Sequence, residues 1–297
     1  MGKSEFDDFV AEDVQNQKGI CMPVRCGLLE RLLTKRIRMN KLHPNPNDEF
    51  TFPDIGPNYQ IISKYVEDIK IAQFKKLKPF DDDPIIVEKL HPHGYLIVNG
   101  HHRWAAAMRL GLKKIRAKII NLAQESDIRK ILEKSKHNKR VTLDLNEVVF
   151  GTSDDIPREK ALKFPYSLKY KQRIRLGIPA LFYFLAQNGY DIWVYSSNYY
   201  SIDDIKDFFR CYHANVNGII TGMAKKNRQT EASAAGMEKL ISNKYSVTLH
   251  IDNETILRTV KADKSFDEYE INATPEEWAK RAITIIEEIE KNEQEKT

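Results

Sequence analysis

From residue 140 onward, short apolar runs alternate with stretches of helical periodicity, and this rhythm restricts the fold more than any other feature. The runs are "VTLDLNEVVF", "DIWVYSS", "NGIITG" and "SVTLHID". Helical stretches separate them at about 172–188, ending on Gly189, in "SIDDIKDFFRCY", and at about 228–243. Consecutive strands joined through helices must run parallel, so this half predicts an α/β sheet with crossovers. Ser201 is placed to cap the middle helix, with Asp204 three residues on. A last helix opens on "TPEEW", where Thr274 caps, Pro275 sits in the first turn and Glu277 completes a capping box.

The first half reads differently. Residues 1 to about 30 are polar and acidic and predict a mobile tail leading into the amphipathic piece "GLLERLLTK". The strand-like "RIRMNKLHPNPND" breaks on Pro44 and Pro46. Ile62, Tyr65, Val66 and Ile69 recur at helical spacing. "PIIVEKL" and "YLIV" flank "HPHG" as a hairpin, "HRWAAAMRLG" is a helix stopped by Gly111, and "KKIRAKII" is a strand. The polar segment "ESDIRKILEKSKHNKR" is expected to connect the two halves. The resulting boundaries are a lead-in over 1–34, a first domain over 35–124, a linker over 125–139 and a second domain over 140–297. A chain of 297 residues suits two domains, each with its own core.

With 41% hydrophobic and 30% charged residues the chain is of soluble globular type. Three cysteines, Cys21, Cys26 and Cys211, are spaced for neither a metal knuckle nor a disulfide framework, which points to a reduced, cytoplasmic setting. The acidic N-terminus does not read as a secretory signal. The longest apolar run, near Ile178 to Ala186, is far short of the ~18–20 residues of a membrane span, so no membrane partner is expected. A net charge of +5 suits anionic ligands without requiring nucleic acid.

Two constellations carry chemistry. In "LIVNGHHRWAAAMRLG", Asn99, Gly100, His101, His102 and Arg103 follow a strand and open a helix. Gly100 permits a tight turn and close approach of a ligand, the helix start offers free N–H groups, and Arg103 can grip a phosphate with two parallel hydrogen bonds. The plain reading of the same residues is a basic turn with Arg103 on the surface. A zinc site from His91, His93, His101 and His102 lacks both helical and CxxC spacing. The second constellation lies at the ends of the predicted parallel strands, where α/β sheets bind ligands. Asp144 and Asp252 each end an apolar strand, Ser196 and Ser197 end another, and Lys225 and Lys226 follow a third. One carboxylate can attack phosphorus, a second can hold Mg²⁺, and a hydroxyl and a lysine can cradle a phosphoryl group.

The first constellation, within "KLHPNPND", a helix, and "PIIVEKL…GYLIVNGHHRWAAAMRLGLKK", resembles the ParB/sulfiredoxin-type domain over about residues 35–122. The likeness implies an α+β domain that binds nucleotide (ATP, ADP or CTP) through Asn99, Gly100, His101, His102 and Arg103. Sulfiredoxins carry Gly-Cys-His-Arg at this turn; here the reactive cysteine is replaced by His101. The wording is nearest the free-serine kinase branch, Asp-Gly-His-His-Arg, with Asn99 in place of the Asp, and implies kinase-type chemistry. The second constellation resembles the haloacid dehalogenase (HAD) superfamily over about residues 139–292, with no room for a cap domain. That likeness implies a Rossmannoid parallel sheet in which Asp144 is the nucleophile, Ser196 and Ser197 bind phosphate and Lys225 or Lys226 stabilises it. Mg²⁺ is then held by Asp144, Asp252 and the residue at position 146. HAD phosphatases have an acid–base Asp at that position, and this chain has Asn146, which cannot shuttle a proton.

Together these point to an enzyme of phosphoryl chemistry, a phosphohydrolase or phosphotransferase acting on a large phosphorylated substrate, with catalysis by Asp144, Asn146, Lys225 and Lys226. Two further readings use the same residues: a nucleic-acid-associated ParB-like protein with a degenerate HAD-like platform, and a nucleotide sensor without turnover.

Overall fold

The computed structural model describes residues 3–80, 82–222, 228–261 and 265–295. The chain divides into two compact units, one built on Met1–Asn121 and the other on Leu122–Met223 and Ala234–Thr297. Both are mixed α/β, each with a sheet containing parallel strands.

In chain order the first unit comprises α1 (Lys3–Gln17), β1 (Met22–Val24), α2 (Leu28–Leu32), β2 (Lys35–Arg38), β3 (Leu42–His43), α3 (Tyr59–Phe74), β4 (Ile85–His91), β5 (Tyr95–Asn99), α4 (His101–Arg109) and β6 (Lys114–Ile119). The strand order is β2-β6-β4-β5-β3, with β1 paired to β4. β4 and β5 form the expected antiparallel hairpin, whereas β4–β6 and β3–β5 are parallel. Ile62, Val66 and Ile69 of α3 are buried against Trp104 and Ala105 to Ala107 of α4 and the sheet residues Ile85, Val87, Ile97 and Ile115. Three successive alanines let α4 lie close to its neighbours.

The first residues are not a mobile tail. Phe6 and Val10, four apart on α1, are 6% and 3% exposed in this core, and Phe6 packs on Phe50 and Trp104. One turn of apolar spacing in an acidic stretch suffices to fold it once Trp104 supplies a surface to cover.

The second unit comprises α5 (Glu125–Lys134), β7 (Lys139–Asp144), α6 (Tyr166–Lys169), α7 (Ile178–Gln187), β8 (Tyr190–Ser196), α8 (Ile202–Cys211), β9 (Gly218–Thr221), α9 (Arg228–Lys244, in this unit from Ala234 onward), β10 (Val247–Ile251), β11 (Thr255–Val260), β12 (Ser265–Glu270) and α10 (Trp278–Gln294). The order is β12-β11-β10-β7-β8-β9. β10, β7, β8 and β9 run parallel, as the alternation predicts. β11 and β12 add an antiparallel edge absent from the sequence reading, because "TILRTV" and "SFDEYE" carry polar residues on both faces.

Val141, Leu143, Ile192, Val194, Leu249 and Ile251 point from one sheet face into a core with α7, α8 and α10. The opposite face carries Trp193 and Ile220, which pack with Ile128, Ile241 and Tyr245. Residues 125–134, expected to belong to a linker, are therefore a packed helix with Ile128 1% exposed. The helix expected from about 172 starts only at Ile178, because Gly177 adopts φ +83° and Pro179 sits in the first turn. The last helix begins at Trp278, one turn beyond the expected Thr274 cap. No helix among the described residues is long and apolar enough to cross a membrane.

Candidate functional site

β5 delivers the chain to Gly100, whose φ of +100° turns it directly into α4. A Cβ there would stand 2.6 Å from Ile85 Cγ2 and 3.1 Å from Arg103 Nε, so only glycine fits. The three side chains that follow are drawn inward. His101 is 4% exposed; its Nε2 accepts the Asn45 N–H at 3.1 Å, and its Nδ1 lies 3.6 Å from Asp48 Oδ2. Burial pushes its pKa down to about 4, against the pull of Asp48, so the ring is neutral and its proton sits on Nδ1. His102 Nε2 accepts the Asn58 N–H at 3.2 Å, and burial lowers its pKa as well. Phe50 stacks on His101 and meets the edge of His102.

Arg103 is not on the surface: it is 6% exposed. Its guanidinium donates to the Asp83 carbonyl at 2.6 Å and to Asn99 Oδ1 at 3.0 Å, and pairs with the Asp83 carboxylate. The turn is thus a clamp. His101 holds the 45–48 loop, His102 holds the start of α3, and Arg103 holds the approach to β4. His91 and His93 are exposed at the hairpin turn, and no group of three or more metal-ligating residues occurs among the described residues.

The strand ends of the second unit behave differently. β7 stops at Asp144, and the chain enters a wide π-helical turn over Leu145–Gly151. Asp144 Oδ1 accepts the N–H groups of Asn146 and Glu147, each at 2.7 Å, which ties the carboxylate to the start of that turn. Asp252 leaves β10 on the adjacent strand and is exposed. Its corner is held from beneath: buried Arg175 donates to Asn253 Oδ1 at 2.8 Å, Trp278 Nε1 donates to the Asn253 carbonyl at 2.7 Å, and the guanidinium lies 3.8 Å from the Trp278 ring centre.

Asp144 and Asp252 line one open cavity of about 400 Å³. Among the described residues, the second oxygen of each carboxylate has no hydrogen-bond partner. Asn146 and Ser196 are engaged with each other instead. Ser196 Oγ donates to Asn146 Oδ1 at 2.6 Å and accepts the Asn198 N–H, while Asn146 Nδ2 donates to Tyr200 Oη at 2.9 Å. Neither lines the cavity, and Ser196 is 1% exposed. Asn146 therefore does not join Asp144 and Asp252 as a cavity ligand. Ser197 is exposed beyond the strand end. Lys225 and Lys226 lie outside the described residues.

Thr142, Tyr195, Glu238 and His250 also line this cavity, and the sequence reading missed them. His250 Nδ1 meets Thr142 Oγ1 at 2.6 Å; burial, reinforced by Arg140, lowers its pKa. Glu238 accepts from buried Arg140 at 2.6 Å and from Tyr195 Oη at 3.0 Å. The sequence did hold a signal. Arg140, Thr142 and Asp144, and likewise Thr248, His250 and Asp252, put polar groups at every second position of apolar strands. The register sets Arg140 beside Thr248 and Thr142 beside His250, one polar face on two neighbouring strands.

Among known proteins, a family model described as the ParB N-terminal domain matches residues 66–136. No curated protein matches the chain. Among solved structures, a conserved hypothetical protein from Pyrococcus furiosus is similar at 11% identity and a TM-score of 0.22, covering 84% of this chain and 98% of that one. The matched stretch holds the Gly100 turn and runs from α3 through α5, so this part of the chain is ParB-like.

Proposed function

We propose that the second unit binds Mg²⁺ and a phosphorylated substrate at the ends of β7 and β10, as a capless HAD-like domain of low hydrolytic power. The observation that carries this is the sharing of one open cavity by Asp144 and Asp252, each with a carboxylate oxygen that has no hydrogen-bond partner among the described residues. Two hard oxygen donors on adjacent strands fit Mg²⁺, which keeps several waters and takes the rest of its shell from substrate phosphate. When bound, the ion neutralises charge on the phosphoryl group. In this reading Asp144, held by two backbone N–H groups, attacks phosphorus and displaces the ester oxygen. Asn146 offers no proton to that oxygen, and its engagement with Ser196 and Tyr200 fits a site that favours good leaving groups.

In the ParB-like unit, a nucleotide would meet the backbone N–H groups opening α4, since the side chains of His101, His102 and Arg103 serve the clamp. A nucleic-acid role is the second reading, favoured by the family match over 66–136; DNA binding that falls steeply with salt would decide for it.

Calorimetric titration with Mg²⁺ tests the main reading. Asp252→Asn, at an exposed corner, should leave the fold intact and weaken Mg²⁺ binding about tenfold or more, which is about 1.4 kcal/mol. Equal affinity in wild type and variant would remove the proposed site.

A further inference from the structure

Between Gly151 and the start of α7, residues 152–177 form a connection whose one helix is the short α6. Connections of this length within a compact unit are uncommon and usually serve a function. This one is tied down. Glu159 N–H donates to the Ile174 carbonyl at 2.8 Å, Leu176 N–H to the Pro157 carbonyl at 2.9 Å, and Arg175 N–H to the Val149 carbonyl at 2.8 Å. Its middle is anchored on α8: Lys169 pairs with Asp204 at 2.8 Å, Tyr170 meets Phe208 edge-on, and Tyr212 Oη donates to the Lys160 carbonyl at 3.2 Å. Asp204 stands in the first turn of α8, which takes up the chain soon after β8 ends at Ser196. Asp144 ends β7, the parallel neighbour of β8. The loop therefore occupies the same edge of the sheet as Asp144.

Its side chains divide by face. Leu162 and Tyr170 pack against the core. Between them Phe164, Tyr166 and Leu168 are carried outward, 78%, 54% and 67% exposed. The inward pair anchors the loop, so the outward rings form a contiguous apolar surface that the unit does not use, the mark of a contact site. Charge is equally one-sided. From Lys160 to Leu176 the sequence has no Asp or Glu. Lys160, Lys163, Lys171 and Arg173 are exposed, and among the described residues no carboxylate pairs with any of them. Lys171 Nζ donates to the Ser167 carbonyl, and Arg173 to the carbonyls of Arg158 and Glu159. These neutral acceptors hold the side chains in place and leave their charge uncompensated.

We propose that this loop binds single-stranded nucleic acid, with bases stacked on Phe164 and Tyr166 and phosphates held by Lys160, Lys163, Lys171 and Arg173. Rings beside cations are what an unpaired strand requires, because every base has a flat face and every nucleotide carries a charge. An acidic peptide would meet the cations but brings no repeating flat group to the rings. A lipid surface has no use for cations pinned by backbone carbonyls, whereas phosphates at fixed spacing do. The surface belongs to the second unit and involves neither the Gly100 turn nor bound Mg²⁺.

The test uses the full chain in EDTA at low salt, with a fluorescein-labelled oligothymidylate as the probe and anisotropy as the readout. The wild type should bind. Phe164→Ala/Tyr166→Ala should weaken binding about tenfold or more and leave its salt dependence unchanged, since stacking releases no counterions. Lys163→Gln/Lys171→Gln should weaken binding and flatten the slope of log K against log salt by about 1.4, each phosphate contact on a single strand contributing about 0.7. All four positions are exposed, so both variants should melt as wild type does. Asp252→Asn should bind the strand as wild type does, so this proposal and the Mg²⁺ site fail separately. No binding, equal affinity in wild type and either double variant, or a loss in Asp252→Asn would each overturn the proposal. So would binding to phosphatidylserine-containing vesicles that depends on Phe164 and Tyr166 while the oligonucleotide does not bind, which would make the loop a lipid contact.

Discussion

The Gly100 turn and the Asp144/Asp252 corner look alike in sequence: each puts polar residues directly after an apolar strand. In the structure they part. His101 and Arg103 are 4% and 6% exposed, and each is matched to a partner within its own unit. Asp144 is half-buried and Asp252 exposed, and each keeps a carboxylate oxygen without a partner among the described residues. A buried polar group must be satisfied by the fold, whereas one at the rim can be left for a ligand. Polar residue type at a strand end thus marks a candidate, and burial decides which use it has. Changes at the turn should accordingly cost stability, and changes at the corner should alter binding or rate with the fold intact.

The largest effect is expected at Gly100. Replacement by Ala forces a left-handed φ on a side chain and drives its Cβ against Ile85, so chemical denaturation should show a loss of about 3–4 kcal/mol. A loss below 1 kcal/mol would mean that the turn is not a rigid clamp.

The buried imidazole of His101 gives a pH signature of nearly that size. Above pH 6.5 the ring is neutral in folded and unfolded chains alike, so it adds no pH dependence. Between 6.5 and about 4 the unfolded chain takes up a proton that the folded chain refuses, so stability falls with falling pH, by up to about 3 kcal/mol. Denaturation midpoints measured across this window should drop in the wild type, and the His101→Gln variant should lose that part of the slope.

Arg103→Ala should cost about 2 kcal/mol, because it removes hydrogen bonds to Asp83 and Asn99 and leaves Asn99 Oδ1 half-buried without its donor. Nucleotide affinity should change by less than the stability does; the reverse would return Arg103 to phosphate binding.

Asn146→Asp should have the smallest effect on stability, under about 1 kcal/mol, since the hydroxyls of Ser196 and Tyr200 can both donate to a carboxylate. Its effect on rate is the informative one. Mg²⁺-dependent hydrolysis of an aryl phosphate should rise about tenfold or more, and the rise should vanish when Asp144 is also changed to Asn. An unchanged rate would dissociate Asn146 from any phosphoryl transfer at this corner.

Much of the fold was legible because periodicity is local. The parallel run β7, β8, β9 and β10 follows from apolar runs interleaved with helical ones, and the β4–β5 hairpin from two strands around "HPHG". The misses have one physical cause. α1 and α5 are polar in bulk and fold on a few side chains, Phe6 and Val10 in one and Ile128 in the other, whose partners lie far away in sequence. β11 and β12 lack strict alternation because one edge of a sheet remains open to water.

The sequence by itself determined the strand–helix rhythm, the need for glycine before α4, and the placing of Asp144 and Asp252 at strand ends, since these depend on chain stiffness and side-chain period. Only the tertiary structure decided which polar groups are consumed. It turned His101 and Arg103 inward, locked Ser196 to Asn146, and brought Thr142 beside His250. Desolvation and strand register act between residues distant in the chain, so no local pattern encodes them.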